Sequence, residues 1–188
     1  HDFFLSKSNS KAFNLIDRWP DWNKKILNIS GEKFSGKSHL ANIFKIKSNA
    51  FLVKGRDIDN SIFKNLKLFE SIIIDDFEEC REEQILYSIF NLIDQDSKYM
   101  LINSLIPISE IKYNLTDLAS RSKNCLYAEI ENPDDELLFA IILKNFSDRQ
   151  IKIEKKIINF IISRIDRSYR KIDEFIYKID ELSLKKKK

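Results

Sequence analysis

The stretch Gly31-Glu32-Lys33-Phe34-Ser35-Gly36-Lys37-Ser38 is where residue types and spacing first point to chemistry: a glycine, four residues, then Gly-Lys-Ser. Loops of this pattern turn a run of backbone N–H groups toward phosphate oxygens. The following helix adds the positive end of its dipole, Lys37 is placed to reach the β and γ phosphates, and Ser38 to ligate magnesium. Gly31, Gly36 and Gly55 are the only three glycines in the chain, so two of them in one loop point to a demand of backbone geometry. His39, in the first turn of the expected helix, is read as a support of the loop, because phosphate chemistry of this kind needs no histidine.

A second signal is Ser71-Ile72-Ile73-Ile74-Asp75-Asp76, an apolar run ending in two acids. A strand that ends so can hold a metal's water shell beside the phosphates, with Asp75 serving the metal and Asp76 polarising an attacking water. A third is Ile102-Asn103-Ser104, where either Asn103 or Ser104 is placed at a strand end to hydrogen-bond a phosphate or that water. Arg121 and Arg170 are, by local chemistry alone, ordinary surface charges.

The elements that must position these groups follow from apolar periodicity. Strands are predicted at Ile26–Ile29, Ala50–Val53, Ser71–Asp76, Tyr99–Asn103 and Cys125–Ile130. Between them fall helical patterns from Ser38, from Asp57 to Leu66 and from Glu82 to Asp96, then a turn and one or two short helices around Pro107 and Leu115–Arg121. Strands alternating with helices predict a parallel α/β sheet with right-handed crossovers. After Asn132-Pro133 the pattern changes to three helical segments, Asp134–Phe146, Glu154–Ile165 and Ser168–Leu182, and no strand. The residue before a proline is driven out of helical geometry, which makes Asn132 a natural boundary. Two domains are therefore expected, an α/β nucleotide-binding domain over 1–131 and a helical domain over 132–188. On the last helix Tyr169, Ile172, Phe175, Ile176, Ile179 and Leu182 form one stripe, read as packing against its neighbours. Trp19 and Trp22, around Pro20, either cover the edge of the nucleotide pocket or pack internally.

Composition removes several other classes. The 188 residues are 43% hydrophobic and contain no apolar run of membrane-spanning length, and the His-Asp-Phe-Phe start does not read as a signal peptide, so a cytoplasmic location is expected. The chain begins without methionine, and upstream residues are expected. Cys80 and Cys125 have no Cys-x-x-Cys spacing and His39 is the one internal histidine, which argues against a disulfide or a zinc site. The 32 basic residues nearly balance the 29 acidic ones, so little direct DNA binding is expected. The closing lysine run is read as a solvated terminus.

Taken in order, Gly31–Ser38, Ile72–Asp76, Ile102–Ser104, Leu115–Arg121 and Arg167–Phe175, followed or flanked by helices, resemble the AAA+ ATPases of the DnaA initiator group. Within that group the style of Arg18–Trp22, Leu115–Arg121 and Ile165–Ser183 is similar to the regulatory inactivators. The resemblance implies a five-stranded parallel sheet with flanking helices and a C-terminal three-helix lid. It implies ADP or ATP with Mg2+ as cofactors, held by Gly31–Ser38, His39, Asn103 and Asp75. Asp2–Asn9 matches the segment that helps enclose the adenine, with Phe3 in that role. Arg121 matches the arginine finger that reaches a nucleotide on a neighbouring subunit, so self-association or pairing with a relative is expected. Arg170 matches the second sensor. The implied partners are the DnaA initiator and the DNA-loaded sliding clamp, the latter reached through an N-terminal peptide absent from this sequence. In this reading the protein's own hydrolysis is weak, and it promotes hydrolysis of the initiator's ATP, so repressing re-initiation. The initiator's DNA-reading domain does not follow the helices here, which favours the inactivator. The alternative is an autonomous P-loop ATPase, a helicase loader or detached initiator core, and a third reading makes ADP a structural cofactor.

Overall fold

The computed structural model of the chain describes residues 3–186, so Asp2 and the last two residues of the lysine run lie outside the described residues. The chain forms α1 (Ser10–Asp17), β1 (Ile26–Gly31), α2 (Lys37–Ser48), β2 (Phe51–Lys54), α3 (Ile62–Leu68), β3 (Ser71–Asp75), α4 (Glu83–Gln95), β4 (Tyr99–Ser104), α5 (Thr116–Ser122), β5 (Leu126–Ile130), α6 (Asp135–Asp148), α7 (Lys155–Ile162) and α8 (Tyr169–Lys186). Three short 3-10 turns follow β2, β3 and β4.

The strands make one five-stranded, all-parallel sheet in the order β2-β3-β4-β1-β5. Every residue of β1 and β3 is buried, whereas β2 is half-buried throughout and Glu129 of β5 is exposed. That is the pattern of interior strands covered on both faces, with weaker burial at the two edges. Because strand side chains alternate, Ile26, Ile72, Ile74, Met100 and Ile102 share one face. There they meet Ile62 and Leu66 of α3, Leu86, Ile89, Phe90 and Ile93 of α4, and Leu118 of α5 in a single buried cluster. Leu27, Ile29, Ile73 and Leu101 take the other face and are wholly buried, and α2 packs on β1, β3 and β4 with Leu40, Ala41 and Phe44.

The chain divides into two compact units, one of Lys11–Gly31 with Gly36–Ile130, the other of the segment ending at Ser10, Glu32–Ser35 and the chain from Glu131 onward. The second unit has two small cores that share α6: Leu138 meets Ile172 and Ile176 of α8, and Ile142 and Phe146 meet Ile158 of α7. Asp134 caps α6 by accepting from the Leu137 amide at 2.8 Å, as its place before the helix suggests.

The sequence pattern differs from the structure in three places. The sequence pattern predicts no helix before the first strand, yet α1 is present; Ala12, Phe13, Leu15 and Ile16 do fall at helical steps, but over only eight residues, too short a run to stand out. The helix expected from Asp57 starts at Ile62, because Gly55–Asp57 is a 3-10 turn and Ile58 is extended. The helix expected to reach Ile165 stops at Ile162. Trp22 stacks on Phe44 at 5.4 Å and Trp19 meets Phe44 and Tyr99 edge-on, so both tryptophans pack internally at the amino end of β4, the opposite end from its Asn103.

Gly55 is a point of close approach. A Cβ there would lie 2.3 Å from the Asp76 carbonyl oxygen and 3.1 Å from the Cys80 amide nitrogen, both backbone atoms that cannot swing aside. Gly55→Ala is therefore expected to destabilise the protein by about 2 kcal/mol, read as a lower midpoint in urea unfolding.

Candidate functional site

The loop after β1 turns through two left-handed residues, Phe34 (φ 69°) and Gly36 (φ 95°). Glycine accepts that conformation freely, whereas a phenylalanine pays roughly 1–2 kcal/mol for it. The Phe34 ring is 62% exposed, so its own burial does not offset that cost. Gly36 stands at the N-cap of α2 and its carbonyl accepts from the Leu40 amide at 3.1 Å. The Lys37 side chain is buried and its ammonium donates to the Gly31 carbonyl at 2.6 Å, across the mouth of the turn.

Ser38, Asp75 and Asn103 come together because of the strand order. β4 lies between β1 and β3 with Asn103 paired to Ile29 and Ile102 to Ile74, which brings the carboxyl ends of three strands side by side. In open parallel sheets this edge, at a strand where the order reverses, is where ligands bind. The Ser38 hydroxyl donates to Asp75 Oδ2 at 3.0 Å, and Asn103 Nδ2 donates to Asp75 Oδ1 at 2.9 Å. Between Asn103 and Ser104, Asn103 is the one against Asp75. The Ser104 hydroxyl instead donates to the Ile106 carbonyl and accepts from Asn28, fixing the following turn. Asn103 Oδ1 is fully buried beside this network with no hydrogen-bond partner among the described residues, a position that needs a donor.

A hydroxyl and a carboxylate are hard oxygen donors, the kind magnesium takes one or two of from protein while keeping water and phosphate oxygens for the rest. Among the described residues no group of three His, Cys, Asp or Glu could hold a metal by protein ligands alone. The donor set thus fits magnesium arriving with a phosphate chain.

Asp76 does not join the network. It is left-handed at φ 54° and its carboxylate pairs with Lys54 at 3.2 Å. Arg121, on α5, pairs with Asp94 of α4, and its guanidinium lies 5.7 Å from the Tyr87 ring centre. The start of α5 is held by Glu83, which accepts from the Leu115 amide at 2.7 Å and the Asn114 amide at 3.0 Å. Nothing in the sequence singles out Glu83, because its partners are more than thirty residues away.

In the helical unit, Arg170 is exposed and pairs with Glu174 one turn along α8 at 3.0 Å. Phe3 is half-buried in the N-terminal segment, His39 half-buried in α2, and Lys33 exposed. Ser35 is buried in the loop, with no hydrogen-bond partner for its hydroxyl among the described residues. Glu32 carries a side-chain role that its place in the loop did not suggest: it accepts from the Ser168 hydroxyl at 2.7 Å and the Tyr169 amide at 2.9 Å, at the start of α8.

Cys80 and Cys125 are both free thiols. Burial pushes the Cys125 thiol up to about 12. No helix among the described residues is long and apolar enough to cross a membrane.

No protein-family model matches the chain. Solved structures share its fold at low identity. A DNA replication initiation factor superposes with a TM-score of 0.79 at 18% identity, over 99% of this chain and 66% of its own. The replication initiator DnaA bound to AMPPCP and single-stranded DNA gives 0.74 at 18%, over 98% of this chain and 66% of its own. The RuvB Holliday junction branch migration motor of Thermotoga maritima gives 0.70 at 18%, over 97% and 65%. The chain spans about two thirds of the length of these proteins. The chain shares the fold of these structures over nearly its whole length.

The Asn114 and Leu115 amides hold the Glu83 carboxyl below the usual glutamate range. A depressed carboxyl stabilises the fold above its unfolded pKa and loses that contribution as pH falls through the folded value. The stability gap between wild type and Glu83→Gln should therefore be constant near neutrality and shrink at acid pH, read from urea midpoints across a pH series.

Proposed function

We propose that this protein binds ADP or ATP with Mg2+ in the Gly31–Ser38 loop and acts in DNA replication as a regulatory AAA+ adaptor of the Hda type. In this reading 1–131 is the nucleotide-binding domain and 132–188 its lid. The observation that carries the nucleotide site is the hydrogen-bonded set of Ser38, Asp75 and Asn103 beside a loop with Lys37 at its base. The loop amides and Lys37 hold phosphate, Ser38 and Asp75 hold the metal, and Asn103 offers its unpaired oxygen to a water or hydroxyl. Bound nucleotide supplies the phosphate chain and its charge. By the resemblance of the motifs, Phe3 is assigned to the adenine, His39 to support of the loop and Arg170 to the second phosphate sensor.

The regulatory part of the reading rests on the resemblance of the motifs to the inactivators and is supported by the fold shared with DnaA, whose solved form binds AMPPCP. Arg121 acts in trans on ATP held by the DnaA initiator, with the sliding clamp on DNA as the platform for that meeting. Asp94 holds Arg121 through an exposed ion pair, and exchanging such a pair for a phosphate costs about 1 kcal/mol or less. Weak hydrolysis by the chain itself is part of this reading; Asp76, paired with Lys54, stands outside the Ser38–Asp75–Asn103 network. Self-association through the same finger is part of this proposal, as is a cytoplasmic site of action.

Two experiments test it. A hundredfold excess of Mg-ADP over Kd should raise Tm by about 5 to 10 °C, and Lys37→Ala should remove most of the shift. No shift in the wild type sinks the nucleotide site. Arg121→Ala should keep the shift yet lose stimulation of ATP hydrolysis by the initiator, assayed with clamp loaded on DNA, by about a thousandfold or to the unstimulated rate. Retained stimulation removes the adaptor reading and leaves nucleotide binding in place.

A further inference from the structure

The second residue of the phosphate loop caps a helix 136 positions away. Glu32 Oε1 accepts from the Ser168 hydroxyl at 2.7 Å and Glu32 Oε2 from the Tyr169 amide at 2.9 Å. The Ser168 hydroxyl also accepts from the Lys171 amide at 3.4 Å, as an N-cap serine does. Two donors at the start of α8 thus end on one carboxylate, and that carboxylate sits where the helix dipole favours negative charge. Tyr169 is fixed further by its phenol, which donates to the Glu131 carbonyl at 3.1 Å, and by burial. Glu32–Ser35 belong to the same compact unit as α8.

A helix is usually capped by a residue one to three positions away, as Asp134 caps α6. Capping α8 from the phosphate loop makes the position of the helix start depend on the backbone of Glu32. The residue next along the helix is Arg170. We propose that Glu32 is a positioning residue: through its hydrogen bonds to Ser168 and Tyr169 it couples occupancy of the phosphate loop to the first turn of α8, and so to Arg170. The proposal rests on the loop binding phosphate, as argued above.

Phosphate seated on the loop amides fixes the Glu32 backbone and lowers the entropy cost of holding the clasp, so the coupling is positive. Linkage is reciprocal. Whatever factor nucleotide adds to the stability of the clasp, the clasp adds to nucleotide affinity. A cap of this kind sets the factor at about five- to tenfold.

Hydrogen–deuterium exchange on the full chain, with and without Mg-ADP, reads both ends of the clasp. In the wild type Mg-ADP should slow exchange in the loop and, by about five- to tenfold, at the amides of residues 169–171. Glu32→Ala should keep loop protection, lose the response at 169–171, and weaken Mg-ADP binding by a similar factor. Ser168→Ala, which leaves the loop chemistry intact and removes one of the two bonds, should show part of both losses and carries the test if Glu32→Ala fails to fold. Loop protection with an unchanged first turn in the wild type, or an equal response in Ser168→Ala and wild type, overturns the coupling while nucleotide binding stands. Absence of loop protection in the wild type removes the nucleotide site and the coupling with it.

Discussion

The Asp75 carboxylate ties the working end of the sheet together. It is 6% exposed, and a carboxylate so deep is tolerated only when donors replace the water it has lost. Two do: the Ser38 hydroxyl from the start of α2 and the Asn103 amide from the end of β4. Three elements far apart in the sequence are held at one level by that acceptor. Its position in turn depends on β3 lying beside β4, and β4 beside β1. Shift any strand by one residue and the acids and amides would face the opposite side of the sheet.

Other charges, outside this network, are held loosely. Arg121 and Asp76 each have a partner, Asp94 and Lys54, and all four side chains are at least about a third exposed. Pairs of that kind contribute little to stability and are screened by salt, so either member is free to trade its partner for a stronger one. Buried Asp75 belongs to the opposite class, where removing a donor leaves an uncompensated charge. The distinction separates a buried group fixed by its donors from exposed groups free to change partners.

The helices show two ways to satisfy a start. Asp134 does it locally for α6, from the residue before the helix. Glu32 does it for α8 from a distant loop, with Ser168 relaying the first-turn amide of Lys171. Both settle orphan donors of the same kind. The local cap stabilises one helix; the distant one makes that helix sensitive to the loop. Glu83 at the start of α5 repeats the distant arrangement on the sheet unit.

By itself the sequence determined what depends on near neighbours. Glycine spacing marked the loop at Gly31–Ser38, apolar runs marked β3 and β4 as strands, and Asp75 and Asn103 stood out as polar residues at strand ends. Three- and four-residue steps marked α4 and the helices after Pro133, because those signals arise from periodicity within one element. Tertiary structure alone decided which side chains meet. Asn103 rather than Ser104 reaching Asp75, Lys54 taking Asp76, Trp22 lying on Phe44, and Glu32 and Glu83 capping helices far away in sequence are all consequences of strand order and register. Hydrogen bonds across such separations leave no pattern in the residues between them, so only the folded chain reveals their partners.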